Sequence, residues 1–300
     1  MAAPSKQTPA LSQAQQSALH AMHQRGLHRP APAPALAAIH IHFHPDWLVG
    51  GTPIIARLAH SGRYLSQFES GCSNGSYSPE PGGQRWQWEH NWFGGAYDNA
   101  PPCERPVYGA VDLSSLSHTS PCGHGAAPRF GSAWLQLHPA AASYSSFCDP
   151  DSYWQPQHLG LWSQMDWQQL QCLALPDPLD HYVEAQVHSS LLLTRDVVAI
   201  VLDASFANTA IADTARRCGV LVRFHSGYRF TTAMLDAAAQ YRGRPIADAL
   251  HDMQARFAGG SALTPAHLGQ AQASGGYDGQ TLKKAWHCMA RLGAIAADRR

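Results

Sequence analysis

Apolar and polar residues alternate over several short stretches of this chain, and a different spacing takes over near its end. Alternation bounded by Gly, Pro, Ser and Asn clusters predicts strands over 39–44, 63–69, 107–113, 131–138, 181–189, 197–203 and 219–225. Short helices are predicted near 52–60, 85–92 and 208–217. Upstream, residues 9–24 read as a helix with Thr8 as N-cap and Gly26 as stop, and APAPALA (31–37) reads as a Pro/Ala linker. Past about residue 227, apolar residues recur at helical spacing in TTAMLDAAAQYRG, PIADALHDMQARFAG and GQTLKKAWHCMARLGAIAADRR. This order is not the regular strand-then-helix alternation of a doubly wound sheet. The predicted class is α+β, a mixed or antiparallel sheet core followed by a C-terminal helical subdomain. The expected domains are 1–35 (a disordered start over 1–8, a helix and a linker), 36–227 (the sheet-bearing domain) and 228–300 (helical). No internal repeat is present.

Composition narrows the function classes. The 21 basic and 21 acidic residues cancel to a formal net charge of zero. A nucleic-acid protein needs a clustered excess of Lys and Arg against phosphate, so no nucleic-acid partner is expected. Charged residues make up only 14% of the chain, against roughly 25% in an average globular protein. The polar surface is therefore built largely from Gln, Ser, His, Asn and Thr. No stretch reaches the roughly 18 apolar residues of a membrane span, and the first residues lack the apolar core and cleavage site of a secretory signal. Seven widely spread cysteines support neither a disulfide framework nor a CxxC zinc site, as expected for work in a reducing cytosol. A monomer is expected.

Five segments could carry chemistry. In IHIHFHPDW (39–47), His40, His42 and His44 share one strand face, which reads either as the start of a metal site or as a polar strand ending at a Pro45-Asp46 turn. In SGRYLSQFESGCSNGS (61–76), a strand would place Arg63 and Glu69 on one face and Phe68 and Ser70 on the other. It runs into a Gly/Ser/Asn loop able to meet phosphate or ribose oxygens, or is an ordinary amphipathic strand and turn. The segment lacks the Lys-Ser/Thr end of a P-loop. In GGQRWQWEHNWFGGAYDNA (82–100), aromatics between glycines form either a lid over a flat ring or a helix pinned to the core. GAAPRFGSAWLQL (125–137) reads as structural, with Gly131 and Ser132 marking a close backbone approach. In DPLDHYVEAQVHSSLLL (177–193), alternation puts Tyr182, Glu184, Gln186 and His188 on one face of an otherwise apolar strand. A carboxylate there is costly to bury without a partner or a purpose, which favours a functional Glu184 over a salt-bridged structural one.

Several of these strings occur together and in order: IHFHPD, RYLSQFESGCSNGS, GGQRW with FGGAYD, RPVYGA, GAAPRFGS, FCDPDS and YVEAQVH. In that order the chain resembles the CteC-like family of ADP-ribosyltransferases over roughly residues 35–205. The resemblance implies a PARP-like split sheet that binds NAD+ as co-substrate, with no metal. It implies mono-ADP-ribosylation of a threonine on ubiquitin, blocking ubiquitination, by a bacterial effector secreted by a type III route into a host cytosol. It also implies an Asp-Glu catalytic pair. The glutamate carries over to Glu184; the aspartate is Asp46 by preference, with Asp151 as the alternative. Arg63 is then the partner for an NAD+ phosphate and Phe68 for the nicotinamide face. Ser70 and Ser73 would serve amide or ribose, with His42, His44 and Tyr97 lining the same site. Cleaving the nicotinamide–ribose bond builds oxocarbenium-like charge, which a carboxylate aimed at the ribose stabilises. Position 182 is Tyr, so the carboxylate or amide found two residues before the glutamate in arginine-directed transferases is missing, which fits a hydroxyl acceptor. The competing classes are a metal-dependent hydrolase using His42, His44, His188 and His225, and a non-catalytic ubiquitin- or nucleotide-binding module.

Overall fold

The computed structural model describes residues 8–26, 33–71, 78–116, 123–156 and 158–296. The helices are α1 (Gln13–Arg25), α2 (Ile54–Ser61), α3 (Gln67–Ser70), α4 (Gln84–Trp92), α5 (Leu193–Asp196), α6 (Ala210–Arg216), α7 (Leu235–Arg242), α8 (Arg244–Phe257), α9 (Pro265–Ala273) and α10 (Gly279–Leu292). The strands are β1 (Ile39–Phe43), β2 (Leu48–Val49), β3 (Thr52–Pro53), β4 (Arg63–Tyr64), β5 (Val107–Val111), β6 (Ala133–Leu137), β7 (Ser145–Asp149), β8 (His158–Leu161), β9 (Glu184–Val187), β10 (Leu191–Leu192), β11 (Val197–Asp203) and β12 (Leu221–His225). The class is α+β, as the sequence predicts. Among the described residues no helix is long and apolar enough to cross a membrane. Ser73 and the first seven residues, expected as a ligand and as a disordered start, lie outside the described residues.

The chain divides into two units woven from alternating stretches. The first takes the described parts of 1–41, 61–122 and 136–198; the second takes those of 42–60, 123–135 and 199–300. The helical part expected at 228–300 thus falls in the second unit together with two earlier stretches.

In the first unit, antiparallel neighbours run in the order β1-β5-β9-β7-β8. The register sets Glu184 opposite Ala110 on one side and Cys148 on the other, so the first residue of β9 sits in the middle of the sheet. Four of these strands are fully or mostly buried because their sequences are apolar or internally satisfied. Helix α1 lies against β7 and β8, and its Ala18 and Met22, one turn apart, join Trp88, Phe93 and Tyr97 in one buried cluster.

Three predictions for this unit need correction. The strand expected over 63–69 is only β4 followed by the single turn α3. Ser66 and Glu69 form a reciprocal capping box, in which Ser66 Oγ accepts the Glu69 N–H (3.2 Å) and Glu69 accepts the Ser66 N–H (3.0 Å). The Ser-x-x-Glu spacing outweighs the alternation that suggested a strand. The first helix likewise begins after Ser12, not Thr8, because Ser12 and Gln15 make the same box. Strands β7 and β8 were not expected, since serines break the apolar run of one and Gly160 that of the other. Their serines are tolerated because Ser145 Oγ donates to the Ala141 carbonyl (2.8 Å) and Ser146 Oγ to Gln186 (2.7 Å).

In the second unit β11 and β12 pair in parallel, joined through α6. Helices α7 to α10 pack on one another. In α10 the buried Leu282, Ala285, Trp286 and Met289 recur at three- and four-residue spacing, and Ile246, Leu250 and Met253 do so in α8. The close approach expected at Gly131 is observed. A Cβ there would lie 2.3 Å from the Phe43 carbonyl, so only glycine lets the two backbones pass.

Candidate active site

Glu184 opens β9 with its side chain almost wholly buried, and two polarised chains of hydrogen bonds converge on its carboxylate. The first chain begins at Tyr97, whose hydroxyl meets His188 Nδ1 at 2.7 Å. His188 Nε2 meets Ser146 Oγ at 2.8 Å, Ser146 Oγ donates to Gln186 Oε1 at 2.7 Å, and Gln186 Nε2 donates to Glu184 Oε1 at 2.9 Å. Ser146 spends its only proton on Gln186, so His188 must donate through Nε2 and accept from Tyr97 through Nδ1. Every donor in this chain points toward Glu184, and each bond strengthens the next. The same Gln186 amide also reaches Cys148 Sγ (3.3 Å), which donates in turn to Glu184 Oε1 (3.6 Å).

The second chain comes from a cation. Arg85 Nη1 donates to Ser152 Oγ at 3.0 Å, and Ser152 Oγ donates to Glu184 Oε2 at 2.9 Å. Arg85 is itself buried, its guanidinium 4.2 Å over the Tyr108 ring and 5.5 Å over that of Trp88. Behind it, Glu89 accepts from the Tyr108 hydroxyl (2.8 Å) and from Arg105 (2.6 Å), and Arg105 also donates to the Tyr97 carbonyl (2.9 Å). Arg85 and Glu89 stand four apart on α4 and so share its inner face.

Burial pushes the Glu184 carboxyl above its ordinary value. The Arg85 charge works against this, the Asp151 charge adds to it, and the Gln186 and Ser152 hydrogen bonds favour ionisation. Asp151 is fixed by the Tyr153 N–H (3.2 Å) and by a short bond from the Tyr182 hydroxyl. Tyr182, Glu184, Gln186 and His188, predicted to share one face, are all engaged in this polar layer.

The other predicted residues are distributed as follows. Arg63 is in an ion pair with Glu69, and Phe68 lies under the Arg105 guanidinium at 4.2 Å. Ser70 Oγ donates back to the Ser66 carbonyl at 3.0 Å. Tyr97, expected to line the cofactor site, is 1% exposed and heads the chain to Glu184. In the second unit His42 Nδ1 donates to the Gly131 carbonyl (3.0 Å) while its Nε2 accepts the Ala127 N–H (3.2 Å). His44 is stacked on Trp47 at 3.9 Å with Trp286 at its edge. Asp46 packs against Gly269 of α9, where a Cβ would collide with its carboxyl. Its Oδ1 is buried without a hydrogen-bond partner, and burial and the Asp203 charge raise it to about 7.

The metal-hydrolase alternative finds no support in these surroundings. His188 and His225, like His42, have both ring nitrogens in protein hydrogen bonds, and among the described residues no three His, Cys, Asp or Glu side chains are grouped to hold a metal. Arg85, Ser152 and Ser146 escaped the sequence reading. The one signal was the four-residue spacing of Arg85 and Glu89, with Trp86 and Trp88 between them, which puts two charged residues on an aromatic helix face.

The buried titratable groups define an acid limit. Burial lowers His40 and His225 to about 4 and His44 and His188 to about 3. Each stays neutral in the fold and gains a proton on unfolding below 6.5, so its contribution is complete above 6.5 and drains as pH falls. Asp46 and Glu89, raised to about 7, act oppositely between their ordinary values near 4 and 7, where unfolding releases protons. With four histidines against two acids, the acids offset about half of the histidine effect below 6.5, and below about 4.5 only the histidines act. Stability measured by urea unfolding is expected to fall gradually from about pH 6.5 and more steeply below about 4.5, there by up to about 1.4 kcal/mol per pH unit for each histidine still neutral in the fold. A flat stability from pH 5 to 3.5 would contradict this assignment.

Comparison with known proteins adds the following. A family described as a protein of unknown function, DUF3626, matches residues 38–175 and 164–291. No curated protein matches the chain. Among solved structures, DarT of Thermus sp. 2.9 in complex with ADP-ribosylated single-stranded DNA is similar at 12% identity and a TM-score of 0.37, covering 65% of this chain and 97% of that one. The two family matches together run from residue 38 to residue 291, and the chain belongs to the DUF3626 family.

Proposed function

We propose that this protein is an NAD+-dependent protein mono-ADP-ribosyltransferase with Glu184 as its principal catalytic carboxylate. The observation that carries the reading is the convergence of two donor chains on one buried carboxylate at the head of a central strand. Here the Arg85 charge acts from one hydroxyl away, through Ser152, and together with the Gln186 and Ser152 hydrogen bonds it favours the ionised form against burial. The ordered strings shared with the CteC-like transferases support the same reading.

NAD+ supplies an ADP-ribosyl group whose bond to nicotinamide breaks as positive charge builds on the ribose. The residues fit such a group, because Glu184 is a fixed, desolvated carboxylate and a cation-like partner is what it lacks. Gln186 and Ser152 orient the two carboxylate oxygens, and the Arg85 charge favours the ionised form of Glu184. Asp151 is the aspartate we assign to the pair. This departs from the preference for Asp46 because Asp151 lies in the same unit as Glu184 and its charge acts on it. Asp151 is a positioning residue, set beside Ser152 and tied to Tyr182.

The acceptor we propose is a threonine hydroxyl of ubiquitin, with a role as a bacterial effector delivered into a host cytosol. The neutral overall charge and the tyrosine at position 182 favour a protein hydroxyl over nucleic acid or arginine. Incubation with NAD+ and ubiquitin should release nicotinamide in step with ubiquitin modification. Nicotinamide release without any modified protein would leave a glycohydrolase in place of a transferase.

A further inference from the structure

The hydrogen-bond chain from Tyr97 to Glu184 has a direction, and its three interior members could support the opposite one. A neutral imidazole, a serine hydroxyl and a primary amide can each give one hydrogen bond along the chain and take another. In the observed order His188 Nε2 gives to Ser146 Oγ (2.8 Å), Ser146 to Gln186 Oε1 (2.7 Å), and the Gln186 amide to Glu184 Oε1 (2.9 Å). Moving the imidazole proton to Nδ1, turning the serine hydroxyl and flipping the amide would keep every residue's partners. Gln186 would then accept from a protonated Glu184, Ser146 would give to His188 Nε2, and His188 Nδ1 would give to the Tyr97 oxygen. The Cys148 thiol, a weak donor and weak acceptor, suits either face of the amide. The observed direction favours an ionised Glu184 and the reverse a neutral one.

The end of the chain decides between them. The Tyr97 hydroxyl lies on a side chain 1% exposed, and its partner among the described residues is His188 Nδ1 at 2.7 Å. Reversal would make this hydroxyl an acceptor and leave its own proton buried and unmatched, which is costly. Packing holds the two rings in place. Phe93 stands edge-on to both, 5.6 Å from Tyr97 and 5.0 Å from His188, and Arg105 grips the Tyr97 carbonyl at 2.9 Å. Burial lowers His188 to about 3, so its ring carries one proton at neutral pH.

We infer that Tyr97 is a positioning residue whose hydroxyl proton locks the His188 tautomer and, through Ser146, holds the Gln186 amide with its NH2 toward an ionised Glu184. The consequence for activity rests on the transferase reading; the lock itself does not. The charged and titratable groups around Glu184 are Arg85 of α4, Asp151, Cys148 of β7 and Tyr108 of β5. Those around Tyr97 are Glu89, Arg105 and Glu104. Tyr97→Phe keeps all of them and the ring, and removes only the hydroxyl.

The test is isotope-edited NMR on the whole protein, reading the His188 tautomer from its ring nitrogens and Glu184 ionisation from its carboxyl carbon. Wild-type His188 should carry its proton on Nε2, and Tyr97→Phe should populate both tautomers. In that variant the Glu184 titration should move to higher pH, and Ser146→Ala, which cuts the chain midway, should move it the same way. Nicotinamide release by Tyr97→Phe should fall about tenfold on the acid limb and less than about threefold at high pH, where Glu184 is ionised in both proteins. A Tyr97 with a merely structural role would lower the rate equally at every pH. A wild-type proton on Nδ1, or an unmoved Glu184 titration in folded Tyr97→Phe or Ser146→Ala, would overturn the inference. Failure of the transferase reading would look different: the tautomer and titration results would hold with no nicotinamide released from NAD+.

Discussion

Replacing Glu184 with glutamine is expected to lower nicotinamide release by about 10²–10³-fold, while the protein stays folded. One lost electrostatic contact to a developing charge costs about 3–4 kcal/mol, which corresponds to that range of rates. Glutamine keeps the length and planarity of the side chain, but its single oxygen accepts from only one of Ser152 and Gln186, so the other donor chain must reorient. The larger loss is the negative charge. The loss should therefore appear in turnover more than in NAD+ affinity. The pH profile supplies a second readout. Because burial and Asp151 raise the Glu184 carboxyl, wild-type activity should climb with pH through a limb above the ordinary value of 4.5. Glu184→Gln should have lost that limb from whatever activity is left. A folded Glu184→Gln protein with full turnover would remove Glu184 from the mechanism.

Arg105→Met is expected to be the most destabilising single change in the first unit. It strands Glu89, which is 1% exposed, and it also removes the donor to the Tyr97 carbonyl and the cation over Phe68. Breaking one side of a buried ion pair costs about 3–5 kcal/mol, or roughly 10 °C in melting temperature for a chain of this size. The pH dependence has a definite sign. Burial already raises Glu89 to about 7 against the pull of Arg105, so without that guanidinium the carboxyl takes up its proton more readily still. A raised carboxyl contributes stability at low pH that is lost as pH rises through the folded value. The variant should therefore lose more stability relative to wild type at pH 8 than at pH 5. The double change Glu89→Met with Arg105→Met should recover much of the loss, since it leaves no unpaired buried charge. Calorimetry at the two pH values measures both effects, and a variant within 2 °C of wild type at pH 8, about one-fifth of the predicted shift, would contradict the buried pair.

Much of the fold was legible from periodicity because its elements bury one face. Strand β11 matches its predicted limits at both ends, and α8 and α10 follow the three- and four-residue spacing of their buried apolar residues. Legibility failed where polar side chains were satisfied inside the protein. Ser145 and Ser146 hid β7, because a serine that hydrogen-bonds within a buried sheet is indistinguishable in sequence from one in a loop. The Ser66 and Glu69 pair carried a helix-start signal that competed with alternation and prevailed. At the site, the alternation of Tyr182, Glu184, Gln186 and His188 exposed the polar layer. The partners of that layer come from α4, β7 and the 152–154 turn, distant in sequence, and no local pattern announces them. Arg85 in particular is a buried cation packed on the Tyr108 and Trp88 rings, in a segment for which a lid or a core helix were the readings available.

The central claim is that Glu184 drives transfer from NAD+ to a protein hydroxyl, and intact-mass spectrometry of ubiquitin tests it most directly. Ubiquitin should gain one ADP-ribose unit with the wild-type protein and none with Glu184→Gln. Unmodified ubiquitin with both proteins, and no nicotinamide released by either, would contradict the account.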